Sequence, residues 1–133
     1  MKNINLNKFS KPLKMRQKMF FDKRGYFQEI FLKKNFKLKI KFTAIASSKK
    51  NVIRGLHFQL KDKQTKLIYV AEGKIFDVVI NLRKKSKDFG KVSKFILNKG
   101  DMLFIPDNYA HGYECLTSKC LVLYHLEKYR NAR

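Results

Sequence analysis

From Lys39 onward, short apolar runs rich in Phe, Ile, Val and Tyr alternate with polar or glycine-bearing breaks. The breaks recur roughly every 8 to 12 residues, the spacing of an all-β chain built from short strands. The clearest pair of strands spans 66–70 and 74–82 around Ala71-Glu72-Gly73. There Gly73 can supply the positive φ of a tight hairpin turn. Further strands are predicted over 26–31, 92–97, 102–105, 113–116 and 121–126, with a turn at Asn98-Lys99-Gly100-Asp101. No stretch combines helical periodicity with caps.

Within 74–82, Phe76, Val78, Ile80 and Leu82 share one face, and Ile75, Asp77, Val79 and Asn81 share the other. Both faces are largely apolar, which predicts a strand buried on both sides in a sandwich or closed barrel. Asp77 stands out, because an interior carboxylate is costly unless hydrogen-bonded or paired. Two readings follow for it, a structural anchor or a member of a ligand cavity. If 52–59 is extended throughout, Gly55, His57 and Gln59 lie on one side and Arg54, Leu56 and Phe58 on the other.

Composition narrows the class. The 133 residues suffice for one domain with a real core and are too few for two of ordinary size, so 1–133 is read as a single domain. With 44% hydrophobic and 14% aromatic residues, the chain is not a disordered polar one. No apolar run approaches the roughly 18 residues of a membrane span, and the first residues lack the apolar stretch of a signal peptide. A soluble cytoplasmic protein is therefore expected. The net charge of +21 is spread along the whole chain. Scattered lysines make a basic surface that attracts anionic ligands, a weaker pointer to nucleic acid than one block or stripe would be. Cys115 and Cys120 flank a plausible turn, and in the cytoplasm they are expected as thiols.

Three segments are richer in polar groups than a barrel core tolerates: 22–29, 52–59 and 105–112. His57, among apolar neighbours, reads either as a hydrogen-bonded core residue or as a catalytic base. A metal-binding pattern of paired histidines fails here. Gln59 stands where a second histidine belongs, and Lys66 brings a positive charge where a donor is needed. No metal is expected.

Taken in order, DKRGYFQE at 22–29, RGLHFQ at 54–59, Lys66 followed by LIYVAEGKIFDVVINLRKKSKDFGK, and FIPDNYAHGY at 104–113 resemble the dTDP-4-dehydrorhamnose 3,5-epimerase family. The resemblance runs from Asp22 to Tyr124. It implies a cupin fold, a jelly-roll barrel also called a double-stranded β-helix. It further implies a cofactor-free isomerase acting on a 4-keto sugar carried by a nucleoside diphosphate, for polysaccharide sugar biosynthesis. Such an enzyme inverts C3, C5 or both by removing a proton next to the ketone and returning one on the opposite face. The resemblance assigns His57 as base, Lys66 as the cation at the enolate oxygen and Tyr124 as the opposite acid. Arg54 is implied at the diphosphate, with Gln59, Asp77 and His111 as further substrate-binding residues. Arg24, Phe27 and Glu29 are implied to reach the nucleotide of a neighbouring subunit through exchange of an N-terminal strand, in a homodimer.

Two departures accompany this resemblance. Where the family carries F-x-Q-x-N-x-S, this chain reads Phe42-Thr43-Ala44-Ile45-Ala46-Ser47-Ser48. Each lost amide costs on the order of 1 kcal/mol of ligand hydrogen bonding, which implies an altered substrate. The family chain also continues past the tyrosine to an aspartate that holds the catalytic histidine, whereas here Glu127 is the acidic residue following Tyr124. These departures motivate a second reading, a non-catalytic sugar-nucleotide-binding cupin or accessory subunit.

Overall fold

The 66–82 region departs from a simple hairpin in an informative way. In the computed structural model, which describes residues 4–58 and 64–128, the strands β6 (Lys66–Glu72) and β7 (Lys74–Asn81) flank Gly73 but belong to different sheets. Gly73 adopts φ +86°, and a Cβ there would collide with Lys119 O and Thr117 Oγ1. The turn therefore packs tightly while it carries the chain from one sheet to the other.

The same crossing recurs along the chain. The other strands are β1 (Leu13–Arg16), β2 (Met19–Asp22), β3 (Gly25–Gln28), β4 (Phe42–Lys49), β5 (Ile53–His57), β8 (Val92–Asn98), β9 (Asp101–Ile105), β10 (Tyr109–Cys115) and β11 (Lys119–Leu126). One sheet has the order β1-β9-β6-β11-β4 and the other β5-β10-β7-β8, all antiparallel. From β4 to β11, consecutive strands alternate between the sheets, except that β7 pairs with β8. This winding is the double-stranded β-helix of the cupin barrel, as the resemblance implied.

Two apolar clusters hold the layers. One fills the space between the sheets with Ile68, Val70, Ile75, Val79, Leu103 and Val122 among others. The second lies outside the five-stranded sheet, where Leu6, Phe36 and Leu38 cover Leu67, Tyr69, Met102 and Phe104. Burial on both faces was predicted for 74–82, and it is realised instead in β6 and β9. In β7, Ile75, Asp77, Val79 and Asn81 are buried and the alternate residues only half-buried, because no layer covers that side among the described residues. The covering segment includes an unpredicted single helical turn, Lys33–Phe36, closed by Lys37 at φ 59°.

The strand predicted over 26–31 stops at Gln28 and pairs with β2 in a separate two-stranded ribbon. That ribbon leaves Phe20, Phe21 and Phe27 exposed by 52%, 74% and 66%. Cys115 and Cys120, expected as separate thiols, are joined across the β10–β11 turn with Cα atoms 5.9 Å apart. The crossing between sheets explains this, since each strand turns its cysteine into the same closed end of the barrel.

His125 marks the weak point of the outer layer. It is buried on β11 beside Phe31, ring centroids 5.6 Å apart, with Nδ1 2.9 Å from Thr43 Oγ1 and no partner for Nε2 among the described residues. Burial lowers its pKa from 6.5. An unfolded chain then binds a proton that the fold resists, so stability is complete above about pH 6.5 and declines as pH falls through the window below it. Urea unfolding at a series of pH values should show this loss in the native chain and a shallower one in His125→Leu; equal slopes would refute the assignment.

Candidate active site

β10 is the spine of the site. Its inward residues His111 and Tyr113 face Val79 and Asp77 on β7 and pair with His57 and Arg54 on β5. From Tyr113 to His111 β10 advances two residues while β5 advances three, and the extra residue is a bulge. Because paired residues project to one side of a sheet, Arg54 and His57 both face the barrel interior. This corrects the expectation from simple alternation, which put them on opposite sides. The bulge requires close backbone approach. Gly55 sits at φ +107°, with its virtual Cβ 2.6 Å from His111 O, and a Cβ on Gly112 would lie 2.9 Å from Arg54 O.

Behind this row lies a buried contact between a carboxyl group and an imidazole. Asp77 Oδ2 is 2.7 Å from His111 Nε2, with both side chains almost fully buried. Burial raises the Asp77 pKa, and His111 and Lys66 pull it back down. Lys66 reaches in from β6 of the facing sheet, its own pKa lowered by burial and supported by the Asp77 charge. Asp77 thus anchors His111, the structural one of its two readings, and its charge supports that of Lys66.

The facing sheet also contributes Tyr124, whose hydroxyl donates to Tyr113 Oη at 2.8 Å. Burial, followed by this hydrogen bond, pushes its pKa far above the ordinary 10.0. Arg54 spans the gap between the sheets, with Nε donating to Ser48 Oγ at 2.8 Å and Nη2 to Ser47 O at 3.0 Å. On the same inward face of β4, Ala44 pairs with Tyr124 and Ala46 with Val122. β5 is exposed along its length and Ala44 is exposed too, so the barrel opens between β4 and β5. Among the described residues, no three His, Cys, Asp or Glu side chains gather as a metal ion would require.

The structure thus brings His57, Arg54, Lys66, Asp77, His111 and Tyr124 to one interior. Gln59 lies outside the described residues. Arg24, Phe27 and Glu29 are not part of this cluster. Arg24 pairs with Asp22 at 2.5 Å on the exposed ribbon, whose base is held by Gln28 against Gln17 O, Gly100 O and Tyr69 on the outer side of the five-stranded sheet. Glu127 accepts from Lys39 N at 3.0 Å. Sequence reading missed Tyr113 and Ser48. The signal for Tyr113 was its i+2 spacing from His111, hidden because the strand was predicted to begin at 113 and not at Tyr109.

Facing sheets that carry a histidine, a lysine of lowered pKa and a half-buried tyrosine define a cupin-type barrel equipped for proton transfer. The chain belongs to the dTDP-4-dehydrorhamnose 3,5-epimerase family, whose sequence model matches residues 8–133. It is 38% identical over 113 residues to the dTDP-4-dehydrorhamnose 3,5-epimerase of Methanothermobacter thermautotrophicus, covering 80% of this chain and 61% of that one. The Salmonella typhimurium epimerase is 39% identical over 122 residues, covering 84% and 66%. The chain therefore spans less than two thirds of the length of these relatives. Among solved structures, the Bacillus anthracis dTDP-4-dehydrorhamnose 3,5-epimerase with TDP and PPi bound superposes with a TM-score of 0.88 at 34% identity, covering 94% of this chain and 77% of that one. The Legionella pneumophila 3,5-epimerase in complex with dTDP-4-keto-L-rhamnose gives 0.85 at 29%, covering 97% and 73%.

The burial of Lys66 has a measurable consequence. Its amine should titrate below the ordinary 10.5, and Asp77→Asn, which removes the charge that supports the ammonium, should lower it further. Lysine side-chain NMR against pH checks both; a Lys66 that titrates like the surface lysines would contradict the arrangement.

Proposed function

We propose that this barrel inverts a stereocentre next to the ketone of a nucleoside-diphosphate-linked 4-keto sugar, at C3, C5 or both, in deoxysugar biosynthesis. The observation that carries the reading is the opposition of groups across the barrel. His57 projects from one sheet, and Lys66 and Tyr124 from the other. A flat sugar ring between the sheets meets a proton acceptor on one face and a proton donor on the other. Names of relatives and of ligand-bound neighbours support the same chemistry.

In this mechanism His57 takes the proton from the carbon beside the ketone. The electron pair moves onto the carbonyl oxygen, where the Lys66 ammonium stabilises the enolate. Tyr124 then protonates the carbon from the opposite face, and water resets His57 and Tyr124 between turnovers. Asp77 and His111 act behind Lys66, holding charge at a fixed place in a dry interior. Arg54, at the mouth, exchanges its contacts to β4 for diphosphate oxygens, which suit its planar fork. No cofactor takes part.

Incubation with a 4-keto nucleotide sugar in deuterated water should place deuterium next to the ketone, and His57→Ala should slow this by at least about 100-fold. Tight sugar-nucleotide binding by calorimetry without exchange would instead favour the non-catalytic reading.

The functional unit is proposed to be a cytoplasmic homodimer in which the β2–β3 ribbon crosses to the partner, bringing Arg24, Phe27 and Glu29 to the partner's nucleotide. The exposed Phe20, Phe21 and Phe27 on that ribbon support the exchange. Light scattering should give twice 15.8 kDa. Arg24→Ala should weaken nucleotide binding roughly tenfold, the value of a charge-assisted hydrogen bond. A mixture of His57→Ala and Arg24→Ala chains should regain activity above either alone, because exchange leaves one site of the mixed dimer intact; no recovery would exclude the exchange.

A further inference from the structure

Tyr113 is in neither the base nor the acid assignment, yet its hydroxyl sits 2.8 Å from Tyr124 Oη inside the barrel. Its residue is 3% exposed, and it occupies the row between Arg54 on β5 and Asp77 on β7. The two rings lie 6.4 Å apart at 38°, packed from opposite sheets, so the hydroxyl pair bridges the layers. As drawn, Tyr124 is the donor and Tyr113 the acceptor. A phenol that accepts one hydrogen bond still carries a proton of its own.

We infer that Tyr113 is a positioning residue for the Tyr124 acid: it orients the Tyr124 hydroxyl before proton transfer and donates its own O–H to the Tyr124 phenolate afterwards. The inference rests on the proposed reaction. In the reprotonation step the enolate carbon takes the Tyr124 proton and a C–H bond forms. The electron pair of the broken O–H bond stays on Tyr124 oxygen. Packed against the buried Tyr113, that phenolate needs a donor already in place, and Tyr113 Oη is the group hydrogen-bonded to it among the described residues. Turning the Tyr124 O–H toward the ring and the Tyr113 O–H toward the Tyr124 oxygen reverses the bond, with no rearrangement of the backbone. The charged and titratable groups facing this pair are Arg54 from β5, Lys66 from β6, Asp77 from β7 and His111 from β10.

Tyr113→Phe removes one oxygen and leaves the ring to fill its place, so it separates the two half-reactions. Abstraction and return by His57 on one face exchanges deuterium without inversion, whereas inversion needs Tyr124. The variant should invert at least about tenfold more slowly, within the range lost when a donor to a developing oxyanion is removed, while His57-dependent exchange stays within about twofold. In Tyr124→Phe the further change at 113 should have no effect on inversion. A residue that only packs would change thermal stability and leave the inversion-to-exchange ratio untouched. Native exchange accompanied by an unchanged ratio in Tyr113→Phe would overturn this inference alone. Absence of exchange in the native chain would overturn the proposed reaction and this inference together.

Discussion

The buried contact between Asp77 and His111, with Lys66 facing it, is the constraint on which the site depends. A carboxylate taken out of water is tolerated only where partners replace its hydration. His111 Nε2 at 2.7 Å and the charge of Lys66 are those partners. Loss of one member of such a pair typically destabilises by about 3–5 kcal/mol, because the other is left buried and uncompensated. Asp77 and His111 come from one sheet and Lys66 from the other, so the pair also sets the electrostatic register of the two layers. The apolar cluster holds the sheets together without direction, whereas this cluster favours one alignment of their polar residues.

That alignment needs a chain path that returns to the opposite sheet at nearly every turn. His57 and Lys66 are nine residues apart, yet they lie on different sheets, β5 in one and β6 in the other. Gly73 performs the next crossing, and the β8–β9 and β10–β11 turns repeat it. Under the proposed reaction, the base and the cation at the enolate oxygen are thereby supplied from opposite sheets by nearby stretches of sequence. The bulge at Gly55 adds the last adjustment. It turns Arg54 to the same interior as His57, at the cost of a backbone conformation that only glycine adopts easily with His111 O 2.6 Å from where a Cβ would be.

Strand content was legible in the sequence because period-2 alternation is local, and most predicted strands appear within a few residues of their predicted bounds. Pairing was not. Residues 66–70 and 74–82 look like a hairpin, and only the long-range partners β11 and β10 reveal that they separate. Burial was misjudged on β7 for the same reason, since the layer that decides it comes from Leu6, Phe36 and Leu38, remote in sequence. His57, Lys66 and Tyr124 were singled out through motifs taken together, as their spacing alone left each ambiguous, and the fold brings them to one interior. The inward turn of Arg54 was hidden by a bulge that ordinary alternation cannot express. The joining of Cys115 to Cys120 was misread because an argument from compartment was given more weight than the turn between them.

The wall at β4 then bears on what the site holds. Its inward residues beside Tyr124 are Ala44 and Ala46, which offer no side-chain hydrogen bond, and the polar contacts resume at Ser48 with Arg54. Under the proposed reaction, a sugar hydroxyl directed at this wall loses its hydration without replacement, while an apolar or absent substituent loses nothing. Discrimination at that side of the ring therefore falls to shape, and affinity shifts toward the diphosphate. A chain with 31 lysines and arginines against 10 acidic residues suits that shift, because its field draws polyanionic ligands to the barrel whatever sugar they carry. Specificity of proton transfer is then left to the groups on the inner faces of the other strands, where Lys66, Asp77, His111, Tyr113 and Tyr124 gather while the β4 wall is bare.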